Sequence, residues 1–252
     1  VPMGAFVRHP ELNSEAVEAR AYQLQALDES MSGSMLLVLP TAAGKTAVAW
    51  MAIAEKMKSN SGWVLVVAPT VALANQHLKS TLPVLTNSQE INPIALSGHH
   101  PVDKRPSLWP SSRLVFATPQ VVRNDVLRGV LSLSDCSLLV VDEAHHCTGD
   151  HAMVQVAELY ISQSDDPLVL ATTASPGSKK EQIEEVCSRL GIQRIHLRTP
   201  EDSMMSEHLS GLDVIETKVE VPDQIWDLAK PFRIWQQGIV DREKRLGRYV
   251  MP

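Results

Sequence analysis

The sequence predicts an α/β protein whose mostly parallel sheet is covered by helices on both faces. Seven short apolar runs, each ending at a turn, recur along the chain at residues 35–40, 63–69, 92–96, 113–119, 137–143, 167–173 and 194–198. They are rich in valine and leucine and lack polar alternation, which is typical of strands that are buried on both faces. Helix-like segments separate these runs, and this alternation indicates a doubly wound sheet.

The helix-like segments have the apolar spacing of helices and cover residues 45–58, 70–82, 120–129, 152–163 and 179–191. The last segment ends on Gly191, and glycine commonly follows the last turn of a helix. Residues 222–252 also have a helical pattern, which Pro231 should interrupt. The basic residues near its end fit either an exposed helix face or the start of a second domain. We expect residues 1–221 to form the α/β domain and 222–252 to begin a helical domain that this chain does not complete.

The composition is that of an ordinary globular protein, with 44% hydrophobic and 21% charged residues in 252. The net charge of -6 argues against a protein held on nucleic acid mainly by a large basic surface, but it allows a narrow groove lined by backbone groups. The three cysteines form no C-x-x-C pair, which argues against a disulfide framework or a structural zinc site. We find no pattern of a membrane span or a secretory signal and expect a reducing compartment.

The segment LPTAAGKT, residues 39–46, ends like a phosphate-binding loop. Gly44, Lys45 and Thr46 match the end of the pattern G-x-x-x-x-G-K-[ST], although Leu39 stands where the first glycine is usual. A predicted strand precedes the segment and a predicted helix follows it, so free N–H groups can face phosphate oxygens. We expect Lys45 to reach the β and γ phosphates and Thr46 to hold Mg²⁺. The alternative is a surface turn that contains Gly-Lys-Thr by chance.

A second motif, LLVVDEAHH, spans residues 138–146 and places two acids at the end of an apolar run. This is where a Walker B strand delivers carboxylates beside a bound nucleotide. We expect Asp142 to hold Mg²⁺ through water and Glu143 to polarise the attacking water. One alternative is a strand end with solvated acids. The other is a metal cluster of His145, His146, Cys147 and His151, although their spacing is not that of a zinc site.

The order and spacing of the motifs resemble those of superfamily-two helicases. Asp142 follows Lys45 by 142 − 45 = 97 residues, which leaves room for several strand–helix units, as in motor ATPases with an extra strand between the two sites. Further helicase motifs are similar and occur in order: RAYQ (20–23) resembles the Q motif, APTVALANQH (68–77) motif Ia, TPQVVRND (118–125) motif Ib and TTASPG (172–177) motif III. SGHH (97–100) lies where these helicases have another loop that contacts a nucleic-acid strand.

Finer details resemble the archaeal Hef and FANCM type, which are DNA translocases of stalled forks and branched junctions. The resemblance implies the first, RecA-like motor domain of a longer chain, binding ATP and Mg²⁺ and working with a helical domain and a second RecA-like domain that supplies arginine fingers. It implies an intracellular protein with no membrane partner, cytoplasmic if archaeal and nuclear if eukaryotic. The RIG-I-like RNA sensors and Dicer helicases have similar motifs. An RNA-directed relative and a non-hydrolysing nucleic-acid-binding module therefore stay open as alternatives.

The resemblance also assigns roles around the nucleotide. Gln23 is expected to hydrogen-bond the adenine with support from Arg20, although Gln23 alone reads as an ordinary polar residue on a helix. His145 is expected to link the ATP site to motif III, at Thr173 and Ser175. The expected cofactor-binding residues are Arg20, Gln23, Thr41, Ala42, Ala43, Gly44, Lys45 and Thr46, and the expected catalytic residues are Lys45, Asp142, Glu143 and His145.

One position departs from the family pattern. The family often has glycine where this sequence has Ala42. Alanine resists a positive φ, so it disfavours a strained loop but not a right-handed, helix-like conformation. We expect the nucleotide site to persist and any effect of Ala42 to fall on its affinity.

Nucleic acid is expected to lie across the part of the sheet edge that is opposite the nucleotide. Hydroxyl and backbone N–H groups at helix starts suit phosphate oxygens without reading sequence, which is compatible with an acidic chain. The alternative is that these residues simply end strands and begin helices. The expected contacts are Pro69, Thr70, Gln76, Gly98, Thr118, Pro119, Arg123 and Asn124.

Overall fold

The computed structural model describes residues 5–59, 62–175 and 180–199, together with residue 202. The expected helical segment 222–252 and the boundary at residue 221 lie outside the described residues. So do Pro176 and Gly177 at the end of the motif III segment.

One parallel sheet organises the described part of the chain. Its strands are β1 (Met35–Val38), β2 (Trp63–Val67), β3 (Ile94–Leu96), β4 (Leu114–Ala117), β5 (Cys136–Asp142), β6 (Val169–Thr173) and β7 (Arg194–Leu197). They lie in the order β3-β4-β2-β5-β6-β1-β7, and every pairing is parallel. Six strands fall within a predicted apolar run and β5 begins one residue before its run, so the predicted fold class is confirmed. β6 is the expected extra strand between β1 and β5.

The helices cover the two faces of this sheet. They are α1 (Ala21–Met31), α2 (Lys45–Lys58), α3 (Val71–Thr81), α4 (Ser88–Ile91), α5 (Arg105–Leu108), α6 (Pro119–Leu127), α7 (Ala152–Gln163) and α8 (Lys180–Arg189), with 3-10 turns at Trp109–Ser111 and Ala144–His146. The five predicted segments correspond to α2, α3, α6, α7 and α8. The two four-residue helices are too short to show a period. Among the described helices, none combines the length and the apolar character that a membrane crossing needs.

Two apolar clusters, one on each face, explain why the strands lack polar alternation. Because successive strand residues point to opposite faces, Met35 and Leu37 of β1 pack in the cluster that contains residues of α1, α2 and α3. Leu36 and Val38 pack in the cluster that contains residues of α6, α7 and α8. Both faces are therefore closed to ligands, and the strand ends are what remains accessible.

Local signals begin several helices at the carboxyl ends of the strands. The Thr70 hydroxyl accepts a hydrogen bond from the Leu73 backbone N–H at 3.2 Å and so caps α3. Pro119 occupies the first position of α6, where its missing N–H costs nothing. Gly44 precedes α2 with a φ of 84°. These helix starts all lie at the edge of the sheet that carries the predicted nucleotide and nucleic-acid sites.

A buried ion pair ties α5 to α6. Nη1 of Arg105 lies 3.1 Å from Oδ1 of Asp125, and their side chains are 6% and 1% exposed. The Trp109 indole N–H donates to the other oxygen of Asp125 at 2.9 Å. The carboxylate is thus held by a cation and a neutral donor, away from water.

Replacing Asp125 with alanine should lower the free energy of unfolding by about 3–5 kcal/mol, because Arg105 would be left as an unpaired buried charge. The exposed Asp103→Ala is the matched control and should change it by less than about 0.5 kcal/mol. Urea unfolding followed by circular dichroism measures both. If Asp125→Ala behaves like the control, the pair does not stabilise this part of the fold.

Candidate functional site

The predicted site residues lie along one edge of the sheet, in two groups. The ends of β1, β5 and β6 carry the loop 39–46, Asp142 and Thr173. The ends of β2, β3 and β4, which are neighbours in the sheet, carry the predicted nucleic-acid contacts. Ligands of open α/β sheets bind outside the carboxyl ends of the strands, which is where both groups lie.

Lys45 is held by the loop that precedes it. Its ammonium donates hydrogen bonds to the carbonyl oxygens of Leu39 at 3.0 Å and Pro40 at 3.4 Å. In the described part of the chain it forms no ion pair with a carboxylate. Burial lowers the pKa of Lys45, and the charges of Glu143 and Asp142 partly oppose that shift. A cation bonded only to neutral carbonyls can exchange them for phosphate oxygens.

The loop itself contains two residues with a left-handed backbone. At Gly44 the φ of 84° favours glycine, and a Cβ atom there would lie 2.2 Å from Nε2 of Gln23 and so displace its amide. Ala42 adopts φ of 65°. The expected preference of alanine for a right-handed conformation is therefore overridden here, at a backbone cost of roughly 1–2 kcal/mol.

The residues of the Q motif contact this loop. The Tyr22 hydroxyl and the Gln23 amide both donate to the carbonyl oxygen of Ala43, at 2.9 and 3.1 Å. Arg20 donates to the Tyr22 hydroxyl at 3.3 Å and is paired with Glu18 at 2.8 Å. Within the described residues, the buried Oε1 of Gln23 has no hydrogen-bond partner. An unmatched buried acceptor is costly, and the amino group of adenine is a donor that matches it.

Asp142 ends β5 with both carboxylate oxygens engaged. His77 Nε2 donates to Oδ2 at 2.7 Å, and the Thr172 hydroxyl donates to Oδ1 at 2.9 Å. Burial raises the pKa of Asp142, but the hydrogen bonds from His77 and Thr172 outweigh burial and hold this pKa below its ordinary value. Asp142 is therefore an ionised carboxylate beside Lys45 and Thr46, with which it lines a common cavity.

Glu143 begins a chain of contacts that leads to motif III. It has a φ of 55°, and its Oε2 lies 3.2 Å from Nδ1 of His145. The same nitrogen lies 3.1 Å from the Thr173 hydroxyl, which donates to the Ser175 carbonyl at 2.9 Å. The structure thus brings together Glu143, His145, Thr173 and Ser175, the residues for which the sequence predicted catalysis and coupling.

A separate groove of about 500 Å³ lies beyond the ends of β2, β3 and β4. Its lining includes five of the eight predicted nucleic-acid contacts, which are Pro69, Thr70, Gly98, Thr118 and Asn124. Gln76 is exposed on α3 outside this lining, and Pro119 is buried. The guanidinium of Arg123 bonds to Asn124 and Gln155 instead of lining the groove.

Sequence reasoning missed several residues in these sites. The groove lining includes Arg105, whose guanidinium is buried against Asp125, and the exposed Arg128, which directly follows the last residue of α6. At the nucleotide site the missed residues are Tyr22, His77 and Thr172. Helical spacing does predict that His77 shares a face with the buried Ala74 and Thr81. The identity of its partner needs the packing of α3 against the sheet, which no spacing along the chain reveals.

Together, the parallel sheet, the loop before α2 and the acids after β5 define a RecA-like P-loop nucleotide-binding domain. Residues 20–211 match the family model described as DEAD/DEAH box helicase. The chain belongs to the DEAD/DEAH box helicase family.

Similar proteins refine this assignment. The chain is 36% identical over 219 residues to a putative ATP-dependent RNA helicase of Methanocaldococcus jannaschii, covering 87% of this chain and 28% of the relative. It is 31% identical to the ATP-dependent DNA helicase fml1 of Schizosaccharomyces pombe, covering 86% and 26%. The crystal structure of the Pyrococcus furiosus Hef helicase domain matches with a TM-score of 0.77 and 33% identity, covering 94% of this chain and 50% of that chain. The resemblance to the Hef type is confirmed.

The conformation of Ala42 yields a stability test. Ala42→Val should lower the free energy of unfolding by about 1–3 kcal/mol, because a β-branched residue is poorly tolerated at a positive φ. The side chain of Ala42 is exposed, so added volume is not the cause. Thr41→Val is the control, since Thr41 is also exposed but does not have a positive φ. Equal thermal unfolding curves for the two variants would contradict the strained loop.

Proposed function

We propose that this domain is the ATP-binding motor domain of a DNA helicase or translocase that acts on forked or branched DNA. ATP hydrolysis with Mg²⁺ is coupled to movement on nucleic acid, together with a second RecA-like domain outside this chain. The observation that carries the proposal is that the nucleotide-binding loop, the acidic pair and the groove lie on one edge of one sheet.

The residues fit Mg-ATP. Lys45 exchanges its bonds to loop carbonyls for bonds to the β and γ phosphates, and the start of α2 provides N–H groups. Gln23 Oε1 is the acceptor available to adenine. Thr46 and Asp142 would hold the metal, Asp142 through water, and the metal would supply charge neutralisation on the phosphates. The Asp142 carboxylate has about four lone-pair sites and the described contacts use two, so acceptor sites remain for such a water.

Glu143 has the position and contacts of the residue that activates water. Its carboxylate, whose charge acts on Lys45, would orient the attacking water and accept its proton. His145 contacts both this carboxylate and Thr173. A change in the bound nucleotide thereby alters the conformation of motif III, and this conformation changes the affinity for nucleic acid. The contacts Glu143–His145 and His145–Thr173 support this coupling.

DNA is the nucleic acid that the comparisons favour. The relatives from Schizosaccharomyces pombe and Saccharomyces cerevisiae are named ATP-dependent DNA helicases, and the solved structure is a Hef helicase domain. The groove lining includes hydroxyl and amide groups and the exposed Arg128, which suit phosphate contacts, whereas the guanidinium of Arg105 is already paired with Asp125. RNA is the second candidate, because the archaeal relative is named a putative RNA helicase.

The need for a further domain has its own support. The chain spans about a quarter of the length of the curated relatives it matches and half of the Hef helicase domain. In related NTPases an arginine finger contributes about 10³- to 10⁵-fold in rate. We therefore propose that these 252 residues alone bind ATP weakly and hydrolyse it poorly.

Two substitutions in the full-length protein test the proposed function. Lys45→Ala should weaken nucleotide binding, and Glu143→Gln should preserve binding while abolishing water activation; each should lower DNA-stimulated ATP hydrolysis by about 100-fold or more. The exposed Glu90→Gln is the control for Glu143→Gln, since it removes the same charge away from the site.

The measurement is the steady-state rate of ATP hydrolysis with forked DNA or with duplex RNA. Forked DNA should stimulate this rate more than duplex RNA does. Indifference to both substitutions would favour a non-hydrolysing binding module. Full DNA-stimulated turnover by the 252-residue chain alone would contradict the need for a second domain.

A further inference from the structure

His77 on α3 is directly bonded to the acidic residue of the nucleotide site. Its Nε2 donates to Asp142 Oδ2 at 2.7 Å, and the two side chains are only 19% and 16% exposed. The imidazole lies nearly parallel to the Phe116 ring, at 9° and a centroid distance of 6.4 Å. The ring is therefore packed on one side while its nitrogen holds the carboxylate.

Asp142 is held from two different elements. Thr172 on β6 donates to one oxygen at 2.9 Å, and His77 on α3 donates to the other. Two donors on opposite oxygens fix the rotation of the carboxylate, while lone pairs remain for a metal-bound water. Outer groups of this kind orient metal ligands, and their loss typically costs 10- to 100-fold in metal affinity or activity.

The helix that carries His77 also reaches the groove. Pro69, Thr70 and Val71, at the start of α3, line the groove described above. His77 follows Thr70 by seven residues, about two turns or roughly 10 Å along the helix. One rigid element thus touches the groove at its start and Asp142 two turns later.

A second contact joins α3 to the phosphate-loop helix. The indole N–H of Trp50 on α2 donates to the Thr81 hydroxyl on α3 at 2.9 Å. These helices and the strand ends also line a narrow cavity of about 20 Å³, which has room for about one water molecule. Because α3 is bonded both to Trp50 on α2 and to Asp142 on β5, a displacement of α3 acts on both partners.

We infer that His77 is a positioning residue that fixes the Asp142 carboxylate for Mg-nucleotide binding and links it, through α3, to occupation of the groove. The inference rests on the proposed function. It adds a residue that contacts neither nucleotide nor nucleic acid, and a physical route between the two sites.

The test compares three substitutions at this residue in the full-length protein. His77→Leu removes the donor, His77→Gln places an amide nitrogen near the position of Nε2, and His77→Asn is too short to reach Asp142. The control is Asn75→Ala, an exposed position on the same helix. The probe is a fluorescent, non-hydrolysable ATP analogue, titrated with Mg²⁺ in the absence and presence of forked DNA.

His77→Leu and His77→Asn should raise the Mg²⁺ concentration for half-maximal analogue binding by about 10-fold or more, and His77→Gln should stay within about threefold of wild type. Forked DNA should shift the wild-type midpoint but not that of His77→Leu. Circular dichroism checks that each variant is folded. If His77→Leu is unfolded, the difference in Mg²⁺ midpoint between His77→Asn and His77→Gln tests the positioning role instead.

Two results overturn the inference in distinguishable ways. If all three His77 substitutions bind the analogue like Asn75→Ala, the positioning role fails while the proposed function stands. If the wild-type protein shows no Mg²⁺-dependent binding of the analogue, the proposed function fails first and the inference falls with it.

Discussion

The structure depends on the burial of both faces of one parallel sheet. Apolar clusters close each face, so successive residues of β1 point into different cores. Burying apolar surface is the dominant favourable contribution to folding, and it leaves the strand ends as the place where polar groups can gather. The loop before α2, the acids after β5 and the groove beyond β2, β3 and β4 share one edge because all of the strands run parallel.

Because the motifs share one edge of the sheet, their residues lie close enough to form connected contacts. Lys45 faces the acids across β6, and His145 extends the acidic end of β5 to Thr173. α3 spans from the groove to Asp142 through His77. In the proposed function, nucleotide and nucleic acid therefore bind at different parts of one sheet edge, which α3 and His145 connect. Such elements can carry energetic coupling when they have two discrete arrangements.

The sequence predicts the sheet, five of the helices and the position of the P-loop motif between β1 and α2, because apolar periodicity and the motif pattern report on local structure. Its limits lie in contacts between distant segments. Gln23 packs on the loop and donates to Ala43, 20 residues away, and His77 meets Asp142 across 65 residues. The positive φ of Ala42 was also not predictable, since alanine by itself disfavours it. The loop adopts it because the surrounding contacts determine its path.

The nucleotide site and the groove are proposed to be energetically linked. The most direct test measures the affinity of the full-length protein for forked DNA with and without Mg²⁺ and a non-hydrolysable ATP analogue, and then the affinity for the analogue with and without DNA. Thermodynamic linkage predicts the same change in both directions, typically about 5- to 150-fold. Affinities that do not change in either direction would contradict the account.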